Sequence, residues 1–304
     1  MPRRRRGKDI HGILPLDKPL GQSSNAVLQY ARRLLDARKA GHTGSLDPLA
    51  SGVLPLCFGE ATKVSGFLLD ADKTYEFRCR LGQRTATGDV EGEVVEEAAI
   101  PDLNESQVST ALQAFLGEIE QIPPMYSALK HEGQRLYRLA RQGREVERPP
   151  RRVTISDYQL LALEEGELSL RVRCSKGTYV RVLAEDLARA LGSCGHVSAL
   201  RRVAAGPYRE SDLVSLPALE AAAATGPEAV AALLLPVDSA LSSWPQVTLD
   251  PDTAHYFKLG QGVMVSGAPS EGELRVYAED EGFLGIGRIL EDGRVAPRRL
   301  MLTT

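Results

Sequence analysis

Residues 41–63 read GHTGSLDPLASGVLPLCFGEATK, with Asp47 near the centre of the stretch. A free aspartate has a pKa of about 3.9, so its carboxylate is charged at neutral pH and can serve as a nucleophile without a separate base. Gly41 and Gly44 permit positive φ or the close approach of a ligand. Pro48 confines Asp47 to extended backbone, which sets the carboxylate at a defined bend. An apolar run over residues 53–58 follows and anchors the loop to a core. The same pattern suits a plain turn in which Asp47 only caps its own backbone. On local pattern alone the turn is the stronger reading.

Other chemistries fit less well. No GxSxG elbow is present for a Ser-His-Asp triad. No Walker loop occurs, and Gly285-Ile-Gly287 lacks both a third glycine and a βαβ context. Cys57, Cys79, Cys174 and Cys194 contain no CxxC pair, and Cys194 with His196 has no second pair to complete a zinc site. His42 and Asp47 would need further ligands that five scattered histidines do not supply. No metal and no cofactor are therefore expected, and the cysteines read as reduced, buried thiols of a cytoplasmic protein.

The elements around this loop follow from periodicity. An apolar strand breaks at Lys18-Pro19 and Gly21, and Ser24 is the expected N-cap of a helix to about residue 35. Residues 75–81 alternate, placing Tyr75, Phe77, Cys79 and Leu81 on one strand face. Residues 104–115 read as an amphipathic helix, and residues 153–174 as a hairpin turning at Glu165-Gly166. A helix should follow Arg181 and end near Gly192. Arg181 at such a helix start opposes the helix dipole, so a specific anionic partner is expected for it. Residues 218–235 are Ala/Leu-rich and read as helix. Past a linker at residues 242–245, short strands between Gly-rich turns suggest a small β-barrel.

The chain of 304 residues is 43% apolar, enough for a large domain plus a small one. Its net charge of −3 argues against a uniformly basic nucleic-acid binder, so any RNA surface must be local. Residues 85–121 hold nine acidic residues and no Lys or Arg, and cannot face a phosphate backbone. Residues 130–152 reverse the sign, with Lys130, Arg135, Arg138, Arg141, Arg144, Arg148, Arg151 and Arg152 against three glutamates. One reading is a solvated surface helix. The one-sided charge in an acidic protein favours phosphate contact. The basic N-terminal arm has no apolar stretch behind it and is not a signal peptide, and the longest apolar run, residues 229–237, is too short to cross a bilayer.

The loop around Asp47 closely resembles the catalytic motif of the TruB family of pseudouridine synthases. LDKPLGQSS at 16–24, DKTYEFRCRLG at 72–82, IPPMYSALKHEGQRLYRLARQG at 122–143, CSKGTYVRVLAEDLARALG at 174–192 and GRVAPRR at 293–299 agree in order and spacing. The likeness spans nearly the whole chain. One departure is the run Thr85-Ala86-Thr87-Gly88-Asp89, where the family's first acidic position is missing.

The resemblance implies an α/β (α+β) fold, with a mixed, mostly antiparallel sheet around a central catalytic cleft. It also implies a small C-terminal PUA-like β-barrel. The expected division is a basic arm at 1–9, a catalytic domain at 10–246 and an RNA-binding domain at 247–304. The implied activity is isomerisation of uridine 55 in the tRNA T-loop by base flipping, with a secondary role in tRNA folding. Asp47 is the implied nucleophile, Arg181 its partner, and Tyr75 the residue stacking on the base. Tyr179 and Leu200 would line the uracil pocket, His42 would fill the space left by the flipped base, and Lys18 would support the site. Lys130, Arg135, Arg138, Arg141 and Arg144 are the expected backbone contacts. The partners expected are tRNA, through its T-arm and acceptor stem, with no membrane and no obligatory protein; the chain should act as a monomer. A guide-RNA-dependent synthase and a non-catalytic RNA-binding protein are the alternatives.

Overall fold

A computed structural model describes residues 7–301. Of the expected basic arm, residues 1–6 lie outside the described residues. The rest is docked, with Lys8 bridging to Ala37 and Asp9 paired with Arg38 at 2.5 Å.

The first strand, β1 (Gly12–Lys18), is buried along nearly its whole length. Both its faces are covered: Leu14 and Leu16 pack on helix α1 (Ser24–Leu34), while Ile13 joins a separate apolar cluster. A strand covered on both sides reads as a continuous apolar run rather than an alternation. The α1 cap is Ser23, not Ser24 as expected from the sequence: the Ser23 side chain accepts from the Ala26 amide, and Ser24 is engaged elsewhere. A short strand β2 (Ala40–His42) and the long β3 (Ala50–Phe58) flank the Asp47 loop. Helix α2 (Ser65–Asp70) then leads into β4 (Lys73–Leu81), whose alternation is as expected.

The acidic stretch forms a two-stranded ribbon, β5 (Gln83–Thr85) with β6 (Val94–Glu97), then α3 (Glu105–Gln113), capped by Asn104 in a reciprocal capping box, and β7 (Gly117–Gln121). The basic segment has little regular structure: β8 (Lys130–His131), β9 (Gln134–Arg135) and the five-residue helix α4 (Leu136–Ala140). The hairpin β10 (Arg151–Glu164) and β11 (Glu167–Cys174) follows, then α5 (Val180–Ala190), β12 (Gly195–Ala205) and β13 (Tyr208–Arg209).

The main sheet has the order β1-β3-β12-β4-β11-β10-β7, with β2 and β13 added at β3 and β12. Only β3–β12 is parallel, so the sheet is mixed and mostly antiparallel. Helices α3 and α5 cover one face, burying Val108, Leu112, Leu183 and Leu187 against Phe77, Cys79 and Leu168.

The Ala/Leu-rich stretch is two helices, α6 (Leu216–Thr225) and α7 (Pro227–Ala231), rather than one. Gly226, at φ +138°, precedes Pro227 and interrupts the helix. The C-terminal part pairs β14 (Gln246–Leu249), β15 (Glu273–Ala278), β16 (Gly282–Ile289) and β17 (Val295–Leu300) in chain order, with α8 (Pro251–Lys258) beside them. Val263 adds to this sheet through paired backbone bonds with Val295. The described pairings make an open sheet and do not close the expected barrel.

This sheet shares a core with the rest. Ile286 and Met301 pack with Ile13, Val53, Cys57 and Leu68, and Trp244 stands edge-on to Phe67 at 4.9 Å.

Candidate active site

The loop between β2 and β3 is held at several points. Leu46 and Leu49 plug into the core beneath it. The Ser24 hydroxyl accepts from the Leu46 amide (2.7 Å) and donates to the Leu46 carbonyl (3.0 Å). On the other side of Asp47, the fully buried Lys18 ammonium donates to the carbonyls of Pro19 (2.9 Å), Ala50 (2.6 Å) and Pro48 (3.5 Å). The Gly21 amide adds a bond to the Pro48 carbonyl at 2.8 Å. Burial lowers the Lys18 pKa to about 8, against the opposing pull of Asp47.

Asp47 meets Arg181 at 2.8 Å. The Arg181 side chain is 6% exposed while that of Asp47 is 43% exposed, so the carboxylate looks into the cleft and its partner is sunk behind it. Arg181 also donates to the carbonyls of Thr87 and Tyr126, both at 2.8 Å, and approaches Asp89 at 3.5 Å. These acceptors offset the cost of a cation in the first turn of α5. Asp89 is itself buried, taking bonds from Thr87 Oγ1 (2.6 Å) and the Glu91 amide (3.1 Å). Burial pushes the Asp47 carboxyl above its ordinary range; Arg181 pulls it down and Asp89 pushes it further up.

Asp47 lines a cavity of about 640 Å³ together with Tyr75, Tyr179, Leu200, Arg181 and Arg202. Its size suits a small aromatic ligand. Tyr75 lies on β4, and burial raises its phenol pKa, so it presents a neutral ring rather than a phenolate base. Tyr179, the N-cap residue of α5, has its amide and carbonyl tied to the Gln121 side chain at 2.9 and 3.3 Å. Leu200 is 7% exposed, on the sheet floor. Arg151, Arg152 and Lys176 stand at the rim; Lys176 pairs with Asp70 at 2.8 Å and Arg152 with Glu118 at 3.2 Å.

The structure thus brings together five of the expected residues: Asp47, Tyr75, Arg181, Tyr179 and Leu200. Lys18 lies under the loop and does not line the cavity; it holds backbone. His42 ends β2 and is not part of the lining either. Its buried Nδ1 has no hydrogen-bond partner, and burial lowers its pKa, so the ring is neutral. Lys130, Arg135, Arg138, Arg141 and Arg144 are exposed, and among the described residues none pairs with a carboxylate. Their segment is joined to the cavity wall through Leu136 and Tyr137, whose amides bond the carbonyls of Leu129 and Ser127.

Sequence reading missed Arg202, Ser24 as a loop tie, and Asp89, whose run had been set aside as a departure. Two adjacent arginines in the otherwise apolar stretch VSALRRVAA were the available signal for Arg202, since alternation sends one of them inward. Among the described residues no cluster of three or more His, Cys, Asp or Glu is placed to hold a metal, and no helix is long and apolar enough to cross a membrane.

Comparison with known proteins gives the family. The TruB family pseudouridylate synthase N-terminal domain matches residues 32–180. The tRNA pseudouridylate synthase B C-terminal domain matches 181–242, and the pseudouridine synthase II TruB C-terminal domain matches 245–301. The tRNA pseudouridine synthase B of Nitrosococcus oceani is 56% identical over 99% of this chain and 98% of its own. That of Stutzerimonas stutzeri is 54% identical over 97% and 96%. Among solved structures, a chain of a Cbf5-Nop10-Gar1 complex superposes with a TM-score of 0.73 at 25% identity, covering 95% of this chain and 84% of its own.

Proposed function

The chain belongs to the TruB family of pseudouridylate synthases, and from that premise we propose that it converts uridine 55 in the T-loop of tRNA to pseudouridine, with Asp47 as nucleophile. The observation that carries this reading is the Asp47–Arg181 pair at 2.8 Å, opening onto a cavity walled by Tyr75, Tyr179 and Leu200. Arg181 aims the carboxylate, and its cationic charge favours the ionised form.

A uridine inside a folded loop is out of reach until it is everted, at a cost of a few kcal/mol. Tyr75 receives the flipped base by stacking. His42, a flat neutral ring on the strand leading into the loop, fills the vacated space. Asp47 attacks the nucleoside and the N1–C1′ bond breaks. The uracil turns within the cavity and rejoins C1′ through C5; the bond to Asp47 breaks and restores the free carboxylate, the C5 proton leaves and N1 takes one up. The net change is an isomerisation needing no cofactor.

Residues 10–246 form the catalytic domain in this reading. Residues 247–304 form an RNA-binding, PUA-like unit for the acceptor stem, and Lys130, Arg135, Arg138, Arg141 and Arg144 grip phosphates. Those same unpaired cations favour a second role in helping tRNA fold, independent of Asp47. The enzyme works alone, as a cytoplasmic monomer.

A single-turnover assay on unmodified tRNA labelled with tritium at uridine C5, without guide RNA or added protein, tests the main reading. One tritium released per tRNA, with pseudouridine mapped to position 55, is expected. An unchanged transcript overturns it.

A further inference from the structure

Arg202 has no part in the scheme above, yet it is among the largest fully buried side chains of the molecule, 1% exposed, and it borders the cavity. Its Nε donates to the Val53 carbonyl at 2.6 Å and its Nη2 to the Gly44 carbonyl at 3.2 Å. Among the described residues no carboxylate lies within ion-pair distance of it, in contrast to neighbouring Arg201, which pairs with Asp17 and Glu210 on the other face. Burying a guanidinium costs several kcal/mol, and two carbonyls offset only part of that. A residue this costly needs a further reason to be there.

Its surroundings supply one. β12 places Arg202 opposite Gly52 of β3 and opposite Tyr75 of β4. A register shift between Arg202 and Ala204 re-aims the strand at this point. Gly52, at φ +99°, is required for the fit: a Cβ there would lie 2.2 Å from the Arg202 carbonyl oxygen. Gly44, at φ +96°, lies beside Nη1, where a Cβ would make ordinary contact at 3.6 Å, so its glycine answers to the backbone angle rather than to crowding. As direct cross-strand neighbours, Arg202 and Tyr75 both line the cavity, and the guanidinium's charge opposes the rise that burial gives the Tyr75 phenol pKa. One rigid group therefore bonds the entry to the Asp47 loop and the strand leaving that loop, and stands beside the cavity's aromatic wall.

Resting on the function proposed above, we infer that Arg202 is a positioning residue for the isomerisation: it holds the Tyr75 ring and the Asp47 loop at one separation, so that a base stacked on the ring meets the carboxylate. The planar fork suits this task. A lysine offers a point charge and cannot reproduce the fork's fixed directions.

The test uses the full-length protein, unmodified tRNA, and the variants Arg202→Met, Arg202→Lys, Tyr75→Phe and the Arg202→Met/Tyr75→Phe double. Arg202→Met is expected to slow the single-turnover step by about 100-fold, with tRNA affinity within about threefold of wild type. Arg202→Lys restores only a minor part of the rate. In the Tyr75→Phe background Arg202→Met costs less than it does alone, because the hydroxyl its charge acts on is already gone. Without turnover, the phenol-carbon NMR signal of Tyr75, assigned by its loss in Tyr75→Phe, shifts in Arg202→Met while the melting transition stays cooperative. An Arg202→Met rate within about threefold of wild type, full rescue by lysine, strict additivity with Tyr75→Phe, or an unmoved Tyr75 signal each overturns the inference. A wild-type protein that leaves every uridine unaltered counts against the proposed reaction instead, and the Tyr75 signal then decides the Arg202 link by itself.

Discussion

The Asp47 loop and the basic segment at residues 130–148 are both irregular, both Gly-containing and both rich in polar groups, yet they are built in opposite ways. The loop is tied by Ser24, Lys18, Gly21 and Arg202, and its two leucines are sunk in the core. The basic segment is seated by Leu136 and Leu139, each 3% exposed, and Lys130, Arg135, Arg138, Arg141 and Arg144 face outward. Arg135, Arg138, Arg141 and Arg144 recur every three residues across α4, and Arg141 lies over the Tyr137 ring at 5.7 Å. Buried charge is costly unless partnered, so the loop's cations are spent on backbone carbonyls and Asp47. Exposed charge costs little, so the segment can leave its cations free for an anionic partner. In the proposed function chemistry is placed where geometry is over-determined, and attraction where it is not.

The sharpest break of that contrast is at the proposed nucleophile. Asp47→Asn is expected to lower the single-turnover rate by at least about 1000-fold while tRNA affinity stays within about threefold, as measured by filter binding. A large loss of affinity would show that the loop also captures substrate. The complementary change, Arg138→Glu with Arg141→Glu and Arg144→Glu, should weaken tRNA binding by about 100-fold at low salt and flatten the salt dependence, with the rate at saturating tRNA unchanged. A slowed rate at saturation would mean the segment takes part in positioning. Lys18→Met frees the Pro48 and Ala50 carbonyls and should cost about tenfold in rate without touching affinity. The smallest effect is on stability. The Lys18 pKa is about 8 in the folded chain against 10.5 in a free lysine. Across that window the unfolded chain holds a proton that the folded chain has released, so stability rises with pH. Denaturant titrations at several pH values should show part of this rise missing in Lys18→Met; an identical slope would mean the ammonium is not desolvated.

Local pattern was enough for some of this architecture. The alternation at residues 75–81 and the Asn104-led helix appear where periodicity places them, because neighbours in sequence decide both. The misplaced cap of α1 is different. Two adjacent serines are equivalent locally, and the choice between them is made by Leu46, far along the chain, which takes the second hydroxyl. The helical reading of residues 218–235 meets α6 and α7, and the break between them had a signal in Gly226 before Pro227. Asp89 sits in a run that departs from its family's pattern, and only packing shows that its carboxylate is turned inward beside Arg181. Arg202 was legible as an anomaly and not as a role, since its two carbonyl partners and its cross-strand neighbour Tyr75 come from different strands and loops.

The apolar joint made by Ile286 and Met301 with Ile13, Val53 and Cys57 means the C-terminal sheet is not a tethered module. Whatever that sheet grips stands at a set span from Asp47, because no slack linker intervenes to take up a mismatch. In the proposed function the molecule would then work as a caliper, accepting a substrate only if its two landmarks lie at the right spacing, and a nick at residues 242–245 should leave the halves clasped rather than parted.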